Sequence, residues 1–240
     1  MSAVSASRGR ARFGVVVPVS NTNLEPDLML LRPAGVSLHV MRAGGYDLDQ
    51  VPDSAQMRKF ALASLDGVLE ALMAARPDIV LYGCTSATLS HGPAFDREFR
   101  DRIARKAGVP AVTAAGALVE VVSDRGARKV GFAAPYTAAL NGEAVDFLVR
   151  SGLEVVAQAS VGRDLDNDAM GALTPDQVTE LARRADHPQA EALVLSCTDM
   201  RAVEVIAPLE QELGKPVVTS NQALMAVAVK RLGLGRSGKQ

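Results

Sequence analysis

The chain contains an internal duplication, and this feature constrains its fold more than any other. Three short segments of the first half recur in the same order in the second half, roughly 110 residues further along. The pairs are Gly14–Pro18 with Gly131–Pro135, Asp78–Thr85 with Glu191–Thr198, and Gly108–Thr113 with Gly214–Thr219. So long a period excludes a solenoid. It predicts two similar lobes related by a pseudo-twofold axis, with the active site in the cleft between them.

Short apolar segments alternate with longer helical ones along the whole chain. The apolar segments are rich in valine and leucine without polar alternation, which is typical of strands buried on both faces. We predict strands at Arg12–Pro18, Ser37–Met41, Ile79–Tyr82, Ala111–Thr113, Lys129–Ala133, Leu153–Ala157, Ala192–Leu195 and Val217–Thr219. The predicted helices include Ser54–Ala75 and Thr174–Arg184. This alternation predicts an α/β fold in which parallel sheets are flanked by helices.

The lobe boundaries follow from the repeat, because no low-complexity linker marks them. We predict an N-terminal tail over residues 1–12, a first α/β lobe over 13–122, a second over 123–232 and a tail over 233–240. The last helix is a candidate to cross back to the first lobe.

Composition argues against several classes of partner. The net charge is −1 and aromatic residues make up 4% of the chain, with no Lys/Arg stripe, so we expect no nucleic-acid partner. No apolar run approaches the roughly 18 residues of a membrane span, and Met1–Arg12 lacks the apolar stretch of a secretory signal. The histidines, His39, His91 and His187, have no ligand spacing, so no metal is predicted. We expect a cytoplasmic protein with reduced thiols.

The two cysteines of the chain, Cys84 and Cys197, occupy matching positions in the two halves. Each follows an apolar strand, where the ligand crevice of an open α/β sheet lies. A helix N-terminus directly after each cysteine would favour a bound anion, and one of them can lower the pKa of its thiol while the other thiol stays protonated. The pseudo-twofold axis would then place both thiols on opposite faces of one small carboxylic acid. The alternatives are two small buried apolar residues or a disulfide, and the matching positions in a reducing compartment disfavour both.

Polar residues near the same strand ends fit the recognition of a carboxylate. Asn21 lies in the segment Ser20–Asn23 after the first strand, which also has the composition of a turn and helix cap. Tyr136 follows the matching strand of the second half, where its phenol would reach the crevice or pack at its rim. The polar loop Arg163–Asp168 is a candidate lid.

These motifs resemble the aspartate/glutamate racemase superfamily from about Phe13 to Leu232. Within it, the chain is most similar to maleate cis–trans isomerases and their arylmalonate decarboxylase relatives. The motifs that carry the resemblance are Val17–Thr22, Tyr82–Ser86, Pro135–Thr137, Asn167 before Met170–Pro175, Leu195–Thr198 and Thr219–Leu224.

The resemblance implies a mechanism that needs no cofactor. In enzymes of this kind the counterpart of Cys84 attacks an alkene carbon as thiolate, and that of Cys197 gives a proton to the neighbouring carbon. The counterparts of Asn21, Tyr136 and Asn167 hold the carboxylates. The decarboxylases resemble the chain at Thr85, Ser86 and Tyr136, which would stabilise an enediolate. Thr198 completes the predicted substrate-binding set, and the resemblance also implies a homodimer.

Details of the motifs rank the possible reactions. The decarboxylases have glycine at the position of Cys84, so the thiol favours isomerisation or racemisation. Glutamate racemases carry Cys-Asn-Thr and Cys-Thr-His, whereas this chain has Cys84-Thr-Ser and Cys197-Thr-Asp, which places amino-acid racemisation second. Val19, at a position where a serine is expected, predicts a larger or less polar acid than maleate. Val217–Leu224 also resembles an ectoine-utilisation protein, and a non-catalytic small-acid binder is the alternative of another class.

Overall fold

The computed structural model describes residues 9–44, 51, 53–63, 65 and 67–234. It contains two four-stranded sheets in which every strand pair is parallel. The first sheet has the order β2-β1-β3-β4 and the second β6-β5-β7-β8. The strands are β1 Ala11–Pro18, β2 Val36–Ala43, β3 Ile79–Tyr82, β4 Ala111–Thr113, β5 Lys129–Ala133, β6 Glu154–Ala159, β7 Ala192–Leu195 and β8 Val217–Thr219. The predicted α/β fold with two similar parallel sheets is confirmed.

Helices connect the strands on both faces of the sheets. In the first half they are α1 Leu24–Leu31, α2 Ser54–Ala63, α3 Val68–Met73, α4 Ser86–Leu89, α5 Gly92–Ala107 and α6 Ala114–Asp124. In the second half they are α7 Ala138–Arg150, α8 Asn167–Gly171, α9 Pro175–Ala185, a 3₁₀ turn at Val203–Val205, α10 Ile206–Leu213 and α11 Ser220–Arg231. No helix in the described part of the chain is long and apolar enough to cross a membrane.

The sequence predicts the buried strands more accurately than β2 and β6, the two edge strands that are largely partly exposed. The predicted bounds of β3, β4, β5, β7 and β8 agree with the structure, because each is a compact run of buried apolar residues. The edge strands β2 and β6 extend beyond the predicted segments, and β6 begins one residue later. Most residues of these two strands are partly exposed, so the apolar pattern does not mark their ends.

One predicted helix is wrong as a single element. The predicted Ser54–Ala75 forms two helices, since α2 ends at Ala63 and α3 begins at Val68 after Gly67, which has a φ of 38°. Buried leucines continue at helical spacing across the break, so the apolar pattern of the sequence does not show where the first helix ends. The predicted helix start at Thr174 agrees with the structure, where Thr174 caps α9 in a capping box with Gln177.

The two lobes share one hydrophobic core. A single apolar cluster contains Val15 and Leu81 from the first sheet together with Val194 and Val218 from the second. Helix α6 packs against its counterpart α11, and α11 also packs against α1 and β4 of the first lobe. This packing fixes the carboxyl ends of the two sheets relative to each other. Most of the predicted tails, residues 1–8 and 235–240, lies outside the described residues.

Gly131 in β5 tests how tightly the second sheet packs against α9. A Cβ atom at this position would lie 2.1 Å from the carbonyl oxygen of Ala185 and 2.6 Å from Cδ2 of Leu193. We expect Gly131→Ala to lower the free energy of unfolding by about 2–3 kcal/mol, measured by urea denaturation, because the backbone oxygen cannot move aside cheaply.

Gly142→Ala is the matched control for this prediction. Gly142 is exposed in α7, and a Cβ there meets no atom within 4 Å. The control should raise the free energy of unfolding by about 0.5–1 kcal/mol through helix propensity. Equal stability of the two variants would contradict the packing argument.

Candidate active site

A cavity of about 480 Å³, including the solvent at its mouth, lies at the carboxyl ends of the two sheets. Both lobes line it. Its walls are formed by Pro18, Ser20, Asn21, Met57, Phe60, Cys84, Ser86, Tyr136, Leu140, Asn167, Met170, Cys197, Thr198 and Asp199. The cavity therefore brings together both cysteines and most of the predicted substrate-binding residues. The exception is Thr85, which does not line it.

Cys84 is positioned by the end of β3. The Gly83 amide donates to the carbonyl of Val16, and a Cβ at Gly83 would lie 2.1 Å from the Leu24 side chain, so the chain can approach α1 this closely only with glycine. The Cys84 thiol lies 3.6 Å from the Ser86 hydroxyl. Burial raises the pKa of Cys84 to about 11, although hydrogen bonds from the Ser86 side chain and the Ala87 amide oppose the shift.

Cys197 is held in a different local structure at the end of β7. Its amide donates to the Ser220 hydroxyl at 3.2 Å, and the Asp199 amide donates to its sulfur at 3.4 Å. Burial raises the pKa of the Cys197 thiol further than that of Cys84, and the Asp199 carboxylate adds to the shift.

The predicted lowering of a thiol pKa by a helix N-terminus is therefore wrong, although the raised pKa of Cys197 agrees with the expectation that one thiol stays protonated. Cys84 precedes α4, which has only four residues and hence a weak dipole. No helix starts directly after Cys197, since the next helical turn begins at Val203. Desolvation of the thiolate in the cavity outweighs the few donors that face each sulfur.

Ser220, the first residue of α11, joins the two cysteine loops. Its hydroxyl oxygen accepts from the Thr85 hydroxyl at 3.0 Å and from the Cys197 amide at 3.2 Å. The Thr85 hydroxyl donates to Ser220 and also hydrogen-bonds to the Tyr136 phenol, and Thr85 does not line the cavity, so a direct bond from this group to substrate is not supported. Ser220 lies in the motif Thr219–Leu224, but its bridging contact could not be read from the sequence.

A second set of hydrogen bonds crosses between the lobes through Asn21 and Thr198. The Asn21 side-chain oxygen accepts from the amides of Asn23 and Leu24, so this segment is also the turn that the sequence allowed. The Asn21 amide donates to the Thr198 hydroxyl at 3.1 Å, and that hydroxyl donates to the Gly83 carbonyl at 2.9 Å. Both side chains line the cavity and are fixed in place by these contacts.

Tyr136 and Asn167 provide hydrogen-bond donors to the cavity. The Tyr136 phenol lies 3.2 Å from the Ser196 hydroxyl, and burial raises its pKa well above the ordinary value, so it remains protonated. Asn167, at the start of α8, has a buried side-chain nitrogen that finds no partner among the described residues. A buried amide without a partner is costly, so a ligand acceptor would stabilise it.

The sequence missed the most strongly polar group of the cavity, the carboxylate of Asp199. One of its oxygens accepts from the amides of Thr22 and Asn23 at 2.8 and 3.1 Å and from the Asn23 side chain at 3.1 Å. Burial raises the pKa of Asp199 to about 6, although these donors oppose the shift. None of the described residues that line the cavity is Lys, Arg or His. The sequence signal for this carboxylate was the triplet Cys197-Thr-Asp, in which Asp199 stands two residues after the cysteine.

The apolar side of the cavity also differs from the prediction. Val19, expected to alter the carboxylate pocket, is 41% exposed and does not line the cavity. Its backbone instead continues the β1–β2 pairing by donating to the Ala43 carbonyl. The apolar wall consists of Met57 and Phe60 from α2, Leu140 from α7 and Met170 from α8. These residues come from elements far apart in sequence, so no local motif marks them.

Comparison with known proteins agrees with this geometry. The family model for arylmalonate decarboxylase matches residues 13–240. The chain belongs to the arylmalonate decarboxylase family. It is also 26% identical to the maleate isomerase of Geobacillus stearothermophilus over 232 residues, which covers 93% of this chain and 92% of that one. The arylmalonate decarboxylase of Bordetella bronchiseptica is 26% identical over 231 residues, covering 93% and 88%.

Solved structures of the same family include a close structural match. The maleate cis–trans isomerase of Nocardia farcinica, a Cys-to-Ser variant with a covalently bound succinylcysteine intermediate, has a TM-score of 0.84 and 25% identity, covering 93% of each chain. The resemblance inferred from the motifs is thus confirmed, and these family members are enzymes.

The raised thiol pKa leads to a direct test with iodoacetamide. In a Cys197→Ser variant Cys84 is the remaining cysteine, and its alkylation rate should rise about tenfold per pH unit from pH 7 to 10, because only the thiolate reacts and its pKa is about 11. The reciprocal Cys84→Ser variant should react more slowly at every pH. A Cys84 rate that levels off between pH 7 and 8 would contradict the burial argument.

Removing the Ser220 bridge should loosen both cysteine loops. Each of its two hydrogen bonds is worth about 1 kcal/mol, so Ser220→Ala should speed the alkylation of both thiols by about fivefold to thirtyfold. Ser151→Ala is the control, because among the described residues its hydroxyl bonds to the Phe147 carbonyl in α7, far from both cysteines in sequence. Unchanged alkylation in the Ser220 variant would show that the bridge does not hold the loops.

Proposed function

We propose that the chain is a cofactor-independent cis–trans isomerase of a small unsaturated dicarboxylic acid. The observation that carries the proposal is that two thiols, supplied by matching loops of the two lobes, line one cavity with neutral hydrogen-bond donors. Similarity to maleate isomerases over 93% of the chain supports the same reaction class. The covalent succinylcysteine in the Nocardia farcinica enzyme supports a cysteine nucleophile.

The first step of the proposed mechanism is addition of Cys84 to the alkene. The Cys84 thiolate forms a C–S bond to one alkene carbon while the π bond breaks, and the electron pair moves toward the adjacent carboxyl group as an enolate. Cys197 then gives its thiol proton to the neighbouring carbon. The carbon–carbon bond is now single, so it can rotate.

The second half of the reaction reverses these transfers. The Cys197 thiolate removes the proton that it gave, the double bond re-forms in the trans geometry, and the C–S bond breaks to release Cys84 as thiolate. Atoms and electrons balance without a redox partner. The protein must therefore supply positioning, proton transfer and stabilisation of the enolate.

The electrostatics of the cavity support these two roles. Both thiol pKa values are raised, but that of Cys84 less, so Cys84 loses its proton more readily than Cys197. Cys197 stays protonated and is suited to act as the acid. The donors of Tyr136 and Asn167 are the candidates to bind the carboxyl oxygens and the enolate, and Ser86 is placed beside the nucleophile.

Several broader expectations are part of the same proposal. We expect the protein to act in the cytoplasm, where both thiols stay reduced, and to form a homodimer like enzymes of the resembled superfamily. Small carboxylic acids are the expected ligands, without nucleic-acid or membrane partners.

A ¹H NMR assay in D₂O tests the reaction class. The panel contains maleate, its monoamide, citraconate, phenylmalonate and aspartate. Isomerisation produces the trans alkene, racemisation exchanges the α-proton, and decarboxylation releases carbon dioxide. We expect a trans alkene from at least one unsaturated acid, with kcat/KM rising about tenfold per unit between pH 7 and 9 because the Cys84 thiolate is the reactive form.

Single substitutions separate the roles of the two thiols. Cys84→Ser should lower kcat by at least about a thousandfold, since a serine alkoxide is far less accessible at these pH values. Cys197→Ser should also lower kcat, yet it should still allow a covalent adduct of substrate mass to be trapped on Cys84. Retained turnover in the Cys84 variant would rule out the proposed nucleophile.

A further inference from the structure

Asp199 places a fixed carboxylate in the wall of the proposed substrate cavity. Asp199 as a residue is 9% exposed, and one carboxylate oxygen accepts three hydrogen bonds from Thr22 and Asn23. The Asn23 side chain also bonds to the Asp199 and Gly171 carbonyls, which ties this corner of the cavity to α8. The carboxylate is therefore held in one place and cannot turn away from a ligand.

The charge of Asp199 is not balanced inside the cavity. None of the described residues of its wall is a cation, and the titratable groups that share it, Cys84, Cys197 and Tyr136, are neutral in their protonated forms. The cation that acts on Asp199 is Arg42. Its guanidinium is already bonded to the Glu25 carboxylate and to the carbonyls of Val19 and Asn21.

A dianionic ligand would meet the like charge of Asp199 in a cavity whose described lining residues include no cation, and such a contact is unfavourable. A ligand group with an N–H donor would instead make a charge-assisted hydrogen bond. We infer that Asp199 is a specificity residue that selects a substrate with one carboxylate and, at its other end, an N–H donor, as in the half-amide of a cis-unsaturated diacid. The inference rests on the proposed function where it concerns the reaction of the substrate. The binding preference does not depend on that reaction.

The wild-type enzyme and Asp199→Asn, assayed by NMR at pH 7.5 with maleate and its monoamide, test the inference. The wild type should favour the monoamide by at least about tenfold in kcat/KM. The substituted asparagine would keep an oxygen that accepts from Thr22 and Asn23 but would remove the charge. The variant should lower the preference by about tenfold to a hundredfold, mainly through a better KM for maleate.

Asp176→Asn is the matched control for the change in net charge. Asp176 is exposed, lies in the first turn of α9 and does not line the cavity. Its substitution should leave the monoamide-to-maleate ratio unchanged. A wild type that prefers maleate, or an equal shift in both variants, would overturn the role of Asp199.

A second measurement keeps the inference separate from the reaction. Succinate and succinamate, which cannot isomerise, are compared as protectors of Cys84 against iodoacetamide in the wild type and Asp199→Asn. Better protection of the wild type by succinamate, lost in the variant, supports the inference even if no alkene is isomerised. Equal protection by both acids in the wild type overturns it. Exchange of the α-proton of aspartate, which carries two carboxylates, would overturn the isomerase proposal and would also count against the selection of a single carboxylate.

Discussion

Hydrogen bonds that cross between the two lobes keep both thiols in one cavity. Ser220 accepts from the loops of both cysteines, and Thr198 links Asn21 to the Gly83 carbonyl. The shared hydrophobic core brings the sheets together, but apolar packing has no directional preference. The polar contacts supply the direction, because they end on backbone groups beside the sulfurs, the Cys197 amide and the Gly83 carbonyl. The site therefore depends on the lobes being docked, and neither lobe alone contains it.

Burial of the thiols has a chemical cost and a chemical use. It makes thiolates rare in the ligand-free enzyme, which slows any step that needs them. It also keeps Cys197 protonated, as a proton donor requires. Tyr136 shows the same balance, since the burial that suppresses its ionisation preserves it as a donor. The cavity thus favours neutral donors over charges, and Asp199 is the exception.

The sequence predicts those parts of the molecule that depend on local patterns. The buried strands β3, β5 and β7 and the matching positions of Cys84 and Cys197 follow from apolar runs and from the repeat. The thiol pKa values could not be predicted, because they depend on burial by side chains from α2, α7 and α8. The roles of Ser220 and Asp199 could not be predicted either, because each residue has a hydrogen-bond partner more than a hundred residues away in the sequence. Pattern alone does not encode such contacts.

The duplication explains the symmetry of the site. Positions at which the two halves differ explain why thiols at matching positions can have different properties. Thr113 and Thr219 cap the corresponding helices in the same way. The residue two positions after each cysteine breaks this symmetry. Burial is the largest cause of both raised thiol pKa values, and the Asp199 carboxylate adds to both shifts. Ser86 offers Cys84 a hydroxyl that lowers its pKa, whereas the corresponding residue after Cys197 is Asp199. A nucleophile must lose its proton more readily than an acid, and this difference in the repeated triplet contributes to that.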